Sequence, residues 1–140
     1  MSVFEYISVV TIGDTNLIGN MYFANHFKIQ GKTRELWMNR CVKNADSHLA
    51  DGLILITKSA HCDYIKGYYL NDEIVCRMTV ENIRKASFKL KFEFYHGESN
   101  EIHALGWQDI VFANSSHEIC RIPDDFLSAA HKYQCKGKNG

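Results

Sequence analysis

Near the N-terminus apolar and polar positions alternate, with Phe4, Tyr6, Ser8 and Val10 set against Glu5, Ile7, Val9 and Thr11. A period of two marks a strand, and apolar residues in both sets predict a strand buried on both faces. Residues 14–20 are rich in turn formers and read as a loop. From about Tyr22 to about Cys41 the period becomes helical. Phe23, Phe27, Gly31 and Leu36 fall near one face, with Lys28, Lys32 and Glu35 elsewhere. Gly31 inside a helix costs about 1 kcal/mol relative to alanine. A glycine there implies a close approach, here of the sheet to the helix.

After a polar connection at 44–52 the pattern returns to strands. Residues 53–56 lead into 57–64, and Ile74, Cys76, Met78 and Val80 alternate with Val75, Arg77 and Thr79. The clearest alternation sets Phe88, Leu90, Phe92 and Phe94 against Lys89, Lys91, Glu93 and Tyr95, the pattern of a half-exposed antiparallel strand. A turn at 97–100 precedes a long strand at 102–113. Pro123, Asp124 and Asp125 then open a short C-terminal helix, with proline and acids in its first turn. The order is strand, long helix, four strands in antiparallel hairpins, short helix. This is an α+β chain in which a sheet of about five strands has one long helix to cover. Curling the sheet around the helix is an economical solution, one of several open to such a chain.

Composition narrows the class. The chain has 140 residues, the size of one domain, and 46% are hydrophobic, enough for a core. A single proline and the lack of a Gly/Ser-rich linker predict one domain over 1–135, with 136–140 as a frayed tail. Sixteen basic and sixteen acidic side chains cancel, so charge gives no reason to expect nucleic acid or a membrane surface as partner. Apolar runs fall short of the roughly 20 residues that span a bilayer. The N-terminus has no basic region or cleavage site, so no signal peptide is predicted. Cys41, Cys62, Cys76, Cys120 and Cys135 are odd in number, scattered and without a CxxC pair. They read as reduced thiols of a cytoplasmic protein, not as a disulfide framework or a zinc site.

Several chemistries are missing from the sequence. There is no GxSxG elbow and no GxGxxG, P-loop or HExxH. The histidines, at 26, 48, 61, 96, 103, 117 and 131, lack metal-ligand spacing and read as surface or satisfied core residues.

What remains is the segment 13–37, GDTNLIGNMYFANHFKIQGKTRELW. It resembles the signature of the 4-hydroxybenzoyl-CoA thioesterase-like hotdog family, which runs Gly/Ser-Asp-x-Asp-x-x-Gly-x-x-Tyr/Trp-x-x-Asn-Tyr before the long helix. Within that superfamily it is most similar to the thioesterases of enediyne polyketide pathways. The match rests on Thr15-Asn16-Leu17, Gly19-Asn20, Tyr22, Asn25, Gln30-Gly31 and Arg34-Glu35. The resemblance implies a single hotdog domain and the hydrolysis of an acyl thioester. No metal or redox cofactor is implied. The partner would be an acyl carrier protein or a CoA-linked acyl group, and the assembly a homodimer or homotetramer with sites at the subunit interface.

It also implies roles for residues. At Asn16 the benzoyl-CoA branch has an aspartate as nucleophile or base. Asparagine does not ionise, so it orients a water or a carbonyl without taking its proton; the enediyne branch shares the asparagine. Asp14 matches the structural first Asp of the loop. Arg34 matches the catalytic arginine, whose guanidinium stabilises an oxyanion or holds a β-keto or carboxylate oxygen. The helix N-terminus near Tyr22 and Phe23 offers backbone N–H groups to the thioester carbonyl, and Phe23 is expected to belong to the core as well. Thr57 and Ser59 are expected at the same pocket, where the family uses a hydroxyl. His26 departs from the tyrosine of many relatives and brings a titratable group near the site.

Plain structural roles stay open beside these. Asn16 is also suited to capping a turn, Arg34 to pairing with a helical Glu, and Tyr22 and Phe23 to the core. The activity implied is release of a polyketide or polyene, as a β-ketoacyl thioester, with loss of CO2 from the β-keto acid. The alternatives are an acyl-CoA thioesterase of primary metabolism and a non-hydrolytic acyl-binding hotdog protein.

Overall fold

A computed structural model describes residues 2–17 and 19–135; the expected tail at 136–140 lies outside them. Five strands, β1 (Phe4–Val9), β2 (Ile54–Tyr64), β3 (Glu73–Glu81), β4 (Ser87–His96) and β5 (Ile102–Ala113), form one antiparallel sheet in the order β1-β3-β4-β5-β2. Only β3, β4 and β5 follow one another as hairpins. The expected run of four hairpin strands breaks at β2, which pairs with β5 at one edge while β1 pairs with β3 at the other.

The sheet curls around helix α1 (Asn25–Cys41), the hotdog arrangement. The period-two pattern sets its concave face. Cys76 lies opposite Phe94, Met78 opposite Phe92 and Val80 opposite Leu90, all buried. Phe92 pairs on its other side with Gly106, and Leu90 with Gln108. Onto this floor α1 lowers His26, Ile29, Gln30, Thr33, Trp37 and Met38. The Trp37 ring stands edge-on to Phe88 and Tyr133, at 6.2 and 6.1 Å between centroids.

The helix face differs from the expected one. Phe23 is exposed, Phe27 and Leu36 are only half-buried, and a side chain at Gly31 would meet nothing within 4 Å. The buried stripe carries His26, Gln30 and Thr33, polar groups that a count of apolar positions passes over. The close approach expected at Gly31 occurs instead at Gly106, where an added Cβ would collide with the Gln30 amide. Nor is β1 buried on both faces: Ile7 and Val9 are exposed, because β1 is an edge strand with only its Phe4–Tyr6–Ser8 side turned inward.

The connection at 44–52 contains a short helix, α2 (Ala45–Ala50). Helix α3 (Asp124–Lys132) begins after Pro123 and buries Phe126 edge-on against Phe112 at 5.4 Å. His48 and Asp125 join α2 to α3 at 2.8 Å. No helix among the described residues is long and apolar enough to cross a membrane.

Phe92 sits at the centre of the floor with no exposed surface. Phe92→Ala should destabilise the fold by about 3–5 kcal/mol in urea titration, the loss of transfer energy plus an unfilled cavity.

Candidate active site

The loop before α1 is fixed by its own polar groups. The Asp14 carboxylate accepts from the Thr11 N–H and the Thr11 hydroxyl, both at 2.9 Å, and so caps the single 3-10 turn Ile12–Asp14. The Asp14 carbonyl accepts the Tyr22 N–H at 2.8 Å and Asn25 Nδ2 at 2.9 Å. Asp14 therefore acts structurally, tying the loop to the first turn of the helix. Between these ties Thr15 bridges Met21, the Asn16 N–H donates to the Asn20 carbonyl at 2.9 Å, and Gly19 donates back to Asn16 at 3.1 Å. Gly19 has φ +88°, a left-handed conformation that favours glycine. Asn16 and Leu17 stand exposed at the tip.

Where the loop meets the helix, donors are left over. An α-helix begins with N–H groups that have no partner inside it, and Ala24 supplies no side-chain cap. Tyr22 uses its N–H on Asp14. The N–H groups of Phe23 and Ala24 find no acceptor among the described residues. The Phe23 carbonyl, by contrast, is crowded with donors: the Tyr64 hydroxyl at 2.8 Å, His26 Nδ1 at 3.1 Å and the His26 N–H at 3.4 Å.

Phe23 itself is not core. Helix α1 starts two residues later, so the ring lies outside, 4.8 Å from Tyr22 and edge-on to Tyr64 at 6.2 Å. Beneath it His26 is only 3% exposed. Because Nδ1 faces a carbonyl it carries the proton, which leaves Nε2 as a buried lone pair with no partner among the described residues. Asn20, Phe23, His26, Tyr64 and Lys66 help to line a cavity of about 210 Å³ at this end of β2.

Farther along α1 a second cluster forms around Arg34. Nη1 donates to Thr57 Oγ1 at 2.7 Å and to Gln108 Oε1 at 3.0 Å. The Gln108 amide then donates to Gln30 Oε1 at 3.1 Å, and Gln30 donates to the His61 carbonyl at 3.1 Å. Among the described residues the buried Arg34 Nε has no partner and no carboxylate lies within 4 Å of the guanidinium. Burial pulls Arg34 below its ordinary value, with the charge of Glu35 opposing; a guanidinium stays cationic regardless. Half-buried and facing only neutral acceptors, it is a cation suited to an anion.

The predicted residues thus fall into two groups on one chain. Tyr22, Phe23 and His26 lie at the N-terminus of α1, with Asn16 at the tip of the loop that precedes it; Arg34 and Thr57 meet about 13 Å further along the axis, at 1.5 Å per residue. Ser59 joins neither. The ladder shifts between Thr57 and Ser59, so Thr57 faces Ile110 on the inner side and Ser59 faces Asp109 on the outer side. Its hydroxyl bonds Asp109 at 2.5 Å. This bulge, with one extra residue in the strand, reverses the alternation that would have put both hydroxyls in one pocket.

Two contributors were not anticipated, Gln108 and Tyr64, and Gln30 stood in the matched segment without a role. Gln108 carried a trace in the sequence, a polar residue at an inward position between Gly106 and Ile110. Cys62 also faces inward, opposite Gly106. Burial raises its thiol to about 11, so it is protonated at neutral pH and poorly suited to nucleophilic attack. Among the described residues no group of three His, Cys, Asp or Glu side chains converges to hold a metal ion.

The model of the thioesterase-like superfamily matches residues 10–130. No curated protein sequence matches the chain. Among solved structures, the chain is similar to the dynemicin thioesterase, with TM-score 0.89 and 26% identity over 96% of this chain and 99% of that one. It is also similar in fold to a 1,4-dihydroxy-2-naphthoyl-CoA thioesterase from Synechocystis, at TM-score 0.85 and 17% identity over 93% and 96% of the two chains. A gentisyl-coenzyme A thioesterase superposes with TM-score 0.79 and 20% identity over 90% and 98%.

His26 and His103 set a pH limit on the fold. His103 is 6% exposed, stacks on Tyr68 at 4.6 Å and leaves Nδ1 without a partner among the described residues. Burial is the largest cause that lowers both rings below the ordinary histidine value. The unfolded chain therefore takes up protons near pH 6.5 that the folded chain refuses, and stability falls as pH drops below that value toward the folded pKa. The thermal midpoint should drop between pH 7.5 and 5.5. His26→Phe, which removes one of the two groups, should flatten that slope.

Proposed function

Because the chain belongs to the thioesterase-like superfamily and is a thioester hydrolase, we propose that it releases a polyketide or polyene chain, as a β-ketoacyl thioester, from an acyl carrier protein. The observation that carries this reading is Arg34: a half-buried guanidinium held by Thr57 and Gln108, with no carboxylate of the described residues within 4 Å. A β-ketoacyl thioester presents carbonyl oxygens that gain charge as water attacks, and a desolvated fixed cation stabilises that charge. The open N–H groups of Phe23 and Ala24 supply the dipolar partner for the thioester oxygen. Asn16 orients the water. The water oxygen bonds to the carbonyl carbon, the C–S bond breaks, and the departing thiolate takes the proton that the water loses. The β-keto acid so formed then loses CO2 to give a methyl ketone.

The likeness to the dynemicin thioesterase, whose structures concern polyene binding, supports a polyene-like acyl chain. The naphthoyl-CoA and gentisyl-CoA relatives favour a second reading in which CoA is the carrier. Both readings share the hydrolytic step. Free cysteines at 41, 62, 76, 120 and 135 support a reducing, cytoplasmic setting.

Two copies would complete the site. Strand β2 is a long edge with an open ladder, and Ile56, Tyr64 and Phe23 beside it are 39%, 44% and 58% exposed. Such an edge favours pairing. A two-fold axis across antiparallel β2 edges sets the α1 helices antiparallel. The loop of one copy then lies near Arg34 of the other, closing the separation between the two groups. Pairing of two such dimers would give a tetramer.

Turnover of β-ketoacyl and aryl thioesters, each on carrier protein and on CoA, tests the substrate class. Arg34→Ala should retain the fold and lower kcat by about 10²–10³; full activity in that variant sinks the mechanism. Mixing inactive Asn16→Ala and Arg34→Ala proteins should restore about one quarter of the activity, because half of the dimers formed on exchange are mixed and each of these regains one intact site of its two. No recovery after subunit exchange would place both residues' functions within one chain.

A further inference from the structure

The same carbonyl that accepts from Tyr64 and His26 belongs to the peptide whose other end is the open N–H of Ala24. No described peptide bond is cis, and in a trans peptide C=O and N–H point in opposite directions within one plane. Whatever fixes the Phe23 carbonyl therefore aims the Ala24 N–H. Two side chains do so from different elements: the Tyr64 hydroxyl from the end of β2 at 2.8 Å, and His26 Nδ1 from the first turn of α1 at 3.1 Å. Ala24 is exposed, and its N–H donates to no described residue.

We infer that Tyr64 and His26 are positioning residues for thioester hydrolysis, holding the Phe23 carbonyl so that the Ala24 N–H is aimed at, and polarised toward, the oxyanion. This rests on the hydrolytic reading above. Two consequences follow from the geometry. First, orientation is set before substrate arrives, so little reorganisation accompanies charge development. Second, an amide whose carbonyl already accepts hydrogen bonds becomes a better donor at its N–H, because chains of hydrogen bonds polarise one another.

The clamp is built to persist. His26 is buried among aromatic rings, with Tyr64, Phe94 and Tyr68 at 4.7, 5.4 and 5.9 Å between centroids, and the Phe23 carbonyl is the partner its side chain has. Burial, with the nearby Cys62 thiol, raises Tyr64 to about 12, so its hydroxyl remains a donor throughout neutral pH. A tyrosine retained only for area would not need its hydroxyl on a backbone carbonyl that starts the helix.

Tyr64→Phe removes only the hydroxyl, His26→Leu keeps the volume without the donor, and His26→Asn returns an amide donor to the place of Nδ1. Steady-state hydrolysis of an acyl thioester and the Ala24 amide resonance in a 15N–1H spectrum are then measured on each protein. Tyr64→Phe and His26→Leu should each lower kcat about tenfold with KM nearly unchanged. The Ala24 resonance should move upfield as its polarisation is lost. His26→Asn should recover kcat to within about threefold of the unaltered protein. Folded variants with unchanged kcat, or a rise in KM alone, would overturn the inference while leaving the hydrolytic reading intact. An unaltered protein that turns over no thioester would overturn that reading, and this inference with it.

Discussion

A polar chain runs through what would otherwise be an apolar contact between α1 and the sheet. Arg34 donates to Gln108, Gln108 to Gln30, and Gln30 to the His61 carbonyl in β2. Gln30 has no exposed surface and Gln108 only 5%, so each amide left unpaired would cost about 1–3 kcal/mol. That penalty constrains the neighbours. A Cβ at position 106 would meet the Gln30 amide, so a side chain there would displace that amide from its place in the network. The helix must hold its register on the sheet, because a shift breaks every link at once. Trp37 and Ile29 provide burial, but apolar contacts tolerate sliding that hydrogen bonds do not.

The same chain explains why a cation is held where none is needed for packing. A half-buried arginine normally gains from a carboxylate partner; here Thr57 and Gln108 fix its direction without cancelling its charge. Strand β2 enters for the same reason. Its bulge after Thr57 turns Ser59 outward while Ala60, Cys62 and Tyr64 continue inward opposite Gln108, Gly106 and Ala104. One strand therefore offers Thr57 to the arginine and Tyr64 to the start of the helix. The bulge brings β2 back into phase between two groups set at different depths along α1.

How far the sequence reveals this depends on whether a feature is local. The strands β4 and β5 were legible because their alternation reports burial on one side only, and residues 102–113 match the strand found. The loop was legible because Asp14, Asn16, Gly19 and Asn25 recur as a spaced set. The α1 face was misplaced, since its buried positions at 26, 30 and 33 are polar and their partners lie far along the chain. The second face of β1 failed for a related reason: Ile7 and Val9 are apolar, but an edge strand leaves them uncovered within one chain. The Thr57–Ser59 register was hidden because a bulge adds a residue without marking it, and Ser59 moved with it. The helix α2 lay in a stretch too short and polar for periodicity to register.

On the functional reading proposed here, the site must work without a strong base, and the nearby side chains are consistent with that. Asn16 cannot ionise. The Asp14 carboxylate is committed to Thr11, and Cys62 is held protonated by burial. His26 is neutral but has its one proton on the Phe23 carbonyl and its lone pair enclosed, so it cannot easily reach a water. What is left to favour the transition state is fixed charge and fixed dipoles: the Arg34 guanidinium and the N–H groups of Phe23 and Ala24 just before α1. Such groups act without moving a proton, and their strength depends on alignment. That makes the restraints on them, Gln108 and Thr57 for the cation, Tyr64 and His26 for the peptide, as consequential as the groups that face the substrate. A thioester, already activated toward attack, is the acyl donor for which alignment alone can suffice.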